Sequence, residues 1–111
     1  MWLCLNDGFL SIVHNEKKPG TLLVRARSRK HLQAFCGKQW KITVTPNRDY
    51  RFRAVLPAGI VSQIVAQRVL EIDYGNFKDS VEDDRLHDMY ALWWGDHHKY
   101  QTGCYTAHHA K

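Results

Sequence analysis

Three runs of this chain alternate apolar with charged or polar residues at a period of two, and no other feature limits the fold as much. They are residues 21–27 (TLLVRAR), 40–45 (WKITVT) and 50–55 (YRFRAV). Neighbouring side chains on a strand point to opposite faces, so such runs read as strands with one face buried and one open. Leu22, Val24 and Ala26 share one face of the first run and leave Arg25 and Arg27 on the other. Trp40, Ile42 and Val44 oppose Lys41, Thr43 and Thr45, and Tyr50, Phe52 and Ala54 oppose Arg51 and Arg53. If the apolar faces pack on helices, the open face carries Arg25, Arg27, Lys41, Arg51 and Arg53, with no carboxylate among them.

The other segments supply partners for these strands. Residues 2–5 and 9–14 read as a hairpin through Asn6-Asp7-Gly8, where Asp-Gly offers the positive φ of a tight turn. A charged loop, NEKKPG, leads into the third strand, and Pro46-Asn47-Arg48-Asp49 turns the chain between the fourth and fifth. Ser28 is placed to cap a short helix over 29–35 that Gly37 ends. Pro57 opens a longer helix over 58–72, with Val61, Ile64, Val65, Arg68 and Ile72 on one stripe and Ile60 and Val69 widening it. Tyr74-Gly75-Asn76 breaks that helix, with Asn76 suited to a positive φ. Ser80 and Asp83 then have the spacing of a capping box for a last helix from near Glu82. Leu86, Met89, Tyr90, Trp93 and His97 form its stripe, and Trp93 and Trp94 face different ways, one inward and one to the surface. The expected class is α+β: a single domain over residues 1–101, with an antiparallel sheet of about five strands. Two longer helices and one short helix pack on one face of it, and residues 102–111 form a C-terminal tail.

A chain of 111 residues has room for one core. Its formal net charge of +5 favours anionic partners without choosing among nucleic acid, an acidic protein surface and a phosphorylated ligand. Cys4, Cys36 and Cys104 are odd in number and lack C-x-x-C spacing, which argues against a disulfide framework or a closed zinc site. The first residues, MWLCLNDGFL, have no basic stretch, and their apolar run breaks at Asn6-Asp7, so neither a signal peptide nor a membrane span is expected. A cytoplasmic protein fits these features.

Motifs for chemistry are sparse. There is no G-x-S-x-G, H-E-x-x-H, Walker A or dinucleotide-binding glycine pattern, and no cofactor is expected. His97, His98, Cys104, His108 and His109 crowd the C-terminal end, but adjacent histidines on a tail do not define a tetrahedral site, and no metal is expected. His87 and Lys78, near Asp73, Tyr74 and Asn76, are the residues with which acid–base chemistry on a phosphodiester could be done. Structural roles for them, in a turn and a helix, compete with that reading.

The segments NDGFLSIV, LLVRAR, TPNRDYRFRAV, IDYGNFKDSV and HDMYALWW, spread over residues 1–101, resemble a family of small bacterial and bacteriophage proteins of similar length. That family has no established activity, so the resemblance implies no catalytic residues. The expected function is that of a non-enzymatic binding or inhibitory protein of a bacterium or phage. It would contact an acidic protein surface or a nucleoprotein complex, such as a host defence complex, through Arg25, Arg27, Lys41, Arg51 and Arg53, with Asn76 as an outlying contact. The alternatives are a small nuclease using His87 and Lys78, and a direct nucleic-acid binder.

Overall fold

The computed structural model describes residues 1–103. The class is α+β, as the alternation implies, and the described residues form two compact units, the first residues 1–75 and the second beginning at residue 76. The first holds strands β1 (Trp2–Leu5), β2 (Gly8–His14), β3 (Thr21–Ala26), β4 (Thr43–Val44) and β5 (Phe52–Pro57). It also holds helices α1 (Arg29–Cys36) and α2 (Ala58–Leu70). The second holds one turn of 3₁₀ helix at Lys78–Ser80 and helix α3 (Asp84–Gln101). Among the described residues no helix is long and apolar enough to cross a membrane.

The sheet is antiparallel, in the order β1-β2-β3-β5-β4. Its even-numbered face is the core: Leu10, Ile12, Val24, Ala26, Ala54 and Leu56 pack with Leu32, Phe35 and Cys36 of α1 and Val61 of α2. The helix α1 forms as its sequence implies. The Ser28 hydroxyl accepts from the amide of His31, and Gly37, at φ 85°, turns the chain out of the helix.

Several boundaries differ from the expected ones. Of the run 40–45 only Thr43–Val44 pairs with β5, because Trp40 and Ile42 turn in to pack on the core instead of following the edge. The fifth strand runs Phe52–Pro57, two residues later than its alternation suggests: the Asp49 carboxylate accepts from the Tyr50 amide and holds Tyr50 in the turn. Helix α2 stops at Leu70, leaving Val69 and Ile72 more than half exposed, so the outer members of its apolar stripe are not core.

The first hairpin also turns differently. Leu5 pairs with Gly8, making Asn6-Asp7 the turn, yet neither residue nor Gly8 has a positive φ. Glycine is needed at position 8 for space: a Cβ there would sit 2.9 Å from Cβ of His31 on α1. In the second unit Asp83 rather than Ser80 caps α3, accepting from the Leu86 amide, while the Ser80 hydroxyl donates to the Phe77 carbonyl. The ring of Tyr90 lies 5.2 Å from Phe77 and 5.7 Å from Trp93. Trp93 is half-buried and Trp94 exposed, the division that adjacent helical positions imply.

Candidate anion-binding face

The odd-numbered face of the sheet is where the arginines meet. Register places Ser11, Arg25 and Arg53 side by side across β2, β3 and β5, with Thr43 of β4 beyond. Like charges directly opposite each other on a sheet normally repel. Three features hold them here. One Arg25 guanidinium nitrogen donates to the buried Ser11 hydroxyl at 2.6 Å. The Arg53 Nε donates to the Thr45 hydroxyl and the Tyr50 carbonyl, both at 3.3 Å, and a terminal nitrogen of Arg53 reaches the Asp49 carboxylate at 3.5 Å. The third is the ring of Tyr50, over which the guanidinium carbons of Arg25 and Arg27 lie 4.6 and 4.2 Å from the centroid. Tyr50 therefore belongs to the arginine face and not to the apolar one, since it precedes the strand whose parity would have placed it inward.

Positive charge remains in excess. Burial pushes the Arg53 guanidinium below its ordinary value, Arg25 and Arg48 push it the same way, and Asp49 alone pulls against them. The Nε of Arg25 is buried without a hydrogen-bond partner. The acid beside Arg53 corrects the expectation of a face free of carboxylates.

Next to this row lies a groove of about 660 Å³ lined by Asn15, Lys17, Lys18, Leu23, Thr43, Thr45, Arg48, Arg53 and Val55. Four of these side chains are cationic, three are neutral and polar, and Leu23 and Val55 form an aliphatic floor. Of the sequence candidates only Arg53 lines it. Arg25 and Arg27 are engaged with Tyr50, and Lys41 and Arg51 are exposed outside the groove lining. Lys17, Lys18 and Arg48 were not reached by reasoning from strand parity, because turns have no parity. The available signal was that two charged turns, NEKKPG and PNRDY, flank the strands that carry the arginines.

The residues considered for catalysis are in the second unit. Nδ1 of His87 contacts the Asp88 carboxylate at 3.4 Å, and Nζ of Lys78 lies 5.1 Å from the Trp94 ring, which stacks on His98. These contacts lead the two side chains to different neighbours. Asn76 has no positive φ, and its side-chain oxygen accepts from the Asp79 amide, supporting the 3₁₀ turn. Among the described residues no cluster of His, Cys, Asp or Glu could hold a metal ion, and Cys104, His108 and His109 lie outside the described residues. Comparison of the chain with family models, with curated proteins and with solved structures found no match.

Proposed function

We propose that this is a non-enzymatic binding protein that engages an acidic protein surface through the groove between the β2–β3 turn and Arg53. The observation that carries the reading is the convergence of Lys17, Lys18, Arg48 and Arg53 on one concave surface whose lining includes no acidic side chain. Of the four, Arg53 is held in place before any partner arrives, by the Thr45 hydroxyl and the Tyr50 carbonyl. Pre-positioned cations lose less freedom on binding than mobile ones, and they steer an acidic partner during encounter. The net charge of +5 acts in the same direction over longer range. A bacterial or phage protein of this kind would act by occupying an acidic surface, for instance on a host complex.

Location must be separated from net charge to test this. One variant carries Lys17→Glu, Lys18→Glu and Arg48→Glu. A second of equal net charge carries Lys30→Glu, Lys38→Glu and Arg85→Glu, all at exposed positions outside the groove. With labelled polyglutamate as probe, the groove variant is expected to lose affinity by about tenfold or more relative to the remote variant, from several exposed charge pairs changed at once. Equal losses in both would mean that the probe senses only overall charge, and the proposal would fail.

A further inference from the structure

We infer that the groove takes an extended acidic segment of a protein in the pattern acidic-x-aliphatic-x-acidic, its aliphatic side chain seated on Leu23 and Val55. The inference rests on the function proposed above and names the chemistry of the partner.

Register sets the spacing. Thr21 pairs with Pro57 at the end of the sheet where the turn bearing Lys17 and Lys18 joins β2 to β3. Two residues along, Leu23 pairs with Val55, and two further on Arg25 pairs with Arg53, beside Thr43 and Thr45. At a strand rise of about 3.3 Å per residue, the first and last of these rows are about 13 Å apart, with the aliphatic pair midway. Cations thus stand at both ends of a short aliphatic floor: Lys17 and Lys18 at one, Arg48 and Arg53 at the other.

An extended partner has the same rise and the same alternation. Its residues i, i+2 and i+4 on one face would bring a carboxylate to the lysines, an aliphatic side chain to the floor and a second carboxylate to the arginines. Arginine and lysine differ in a way that suits the two ends. The Arg53 fork is fixed by Thr45 and the Tyr50 carbonyl, whereas Lys17 and Lys18 are exposed point charges that can adapt. Val55 is 42% exposed, an aliphatic residue held in water among cations, and an aliphatic group of the partner seated on it would remove it from solvent.

Nucleic acid fits less well. The groove lining contains no aromatic ring on which a base could stack, and the nearby Tyr50 ring is 3% exposed beneath two guanidinium groups. A phosphodiester strand would bring charge to every step and no aliphatic side chain to the floor.

The test uses end-capped peptides and isotope-labelled full-length protein followed by amide chemical shifts at low salt. GEGLGEG carries the pattern, GEGSGEG lacks the aliphatic group, and GEELGGG keeps the same composition and charge while breaking the spacing. The expected result is shifts concentrated at Lys17, Lys18, Leu23, Arg48, Arg53 and Val55. Affinity for GEGLGEG should be about fivefold above GEGSGEG, the worth of burying part of one aliphatic side chain, and also above GEELGGG, whose two carboxylates cannot reach both ends of the groove at once. A Val55→Ser variant, altered on the open face and not in the core, should bind GEGLGEG and GEGSGEG alike. Equal binding of the three peptides by the unaltered protein would overturn the inference. If labelled oligothymidylate shifts the groove amides and the peptides do not, the acidic-segment inference fails while an anion-binding groove stands. If no probe shifts those amides, both fail.

Discussion

Replacing Tyr50 with leucine removes the aromatic surface on which two arginines rest while leaving an apolar side chain in its place. Arg27 is exposed, so its contact at 4.2 Å is expected near the lower end of such interactions, about 0.5–1 kcal/mol. Arg25 is half-buried beside Ser11, and its contact at 4.6 Å should be worth about 1–2 kcal/mol. The substitution should therefore cost about 2 kcal/mol, to which a packing change of up to about 1 kcal/mol adds. Tyr50→Phe keeps the ring and serves as the reference, with stability close to that of the parent. Urea denaturation of Tyr50→Leu, Arg27→Ala and the double variant isolates one of the two contacts, with a coupling of about 0.5–1 kcal/mol expected. A coupling of zero would refute the Arg27–Tyr50 contact, and equal stabilities for the leucine and phenylalanine variants would refute the idea that the ring helps to hold Arg25 beside Arg53.

Two further predictions concern the core. Gly8→Ala should destabilise by about 1–3 kcal/mol, since the added methyl meets His31 Cβ, Cγ and Cα between 2.9 and 3.1 Å and α1 must move away from β2; urea unfolding at the parent's stability would contradict that packing. Cys36 is buried, and burial pushes its thiol up, with a backbone hydrogen bond pulling weakly back. The folded protein therefore holds this proton more tightly than the unfolded chain. Its contribution to stability is complete below the ordinary thiol range and is lost as pH rises through that range towards the raised folded value. Stability measured from about pH 8 to 10 should fall less steeply for Cys36→Ala than for the parent, and mass spectrometry should find Cys36 unalkylated by iodoacetamide at about pH 8 until denaturant is added.

Strand parity made much of the arginine face legible in the sequence. Arg25 and Arg53 were assigned to the open sides of their strands from alternation alone, and the α+β class followed from hairpins interrupted by helices. What parity could not supply was adjacency: that β3 and β5 are neighbours, with Arg25 opposite Arg53, depends on strand order and on where β4 leaves the edge. Tyr50 was misassigned because its alternation continues into the strand although the Asp49 carboxylate keeps it in the turn. Gly8 looked like a turn glycine, and its actual reason, the close passage of His31, lies 23 residues away in sequence and leaves no local trace. Lys17, Lys18 and Arg48 became site residues only when the two turns carrying them converged on one groove. Asn76 was expected to take a positive φ and does not; it supports the 3₁₀ turn through its side-chain oxygen instead.

The most direct measurement of the central claim is the affinity of labelled polyglutamate for the two triple variants of equal net charge, taken at low and at physiological salt. If the groove is the binding site, reversing Lys17, Lys18 and Arg48 removes most of the affinity and flattens its salt dependence, while reversing Lys30, Lys38 and Arg85 leaves a salt-sensitive interaction in place. Matching affinities and matching salt dependence in the two variants would contradict it.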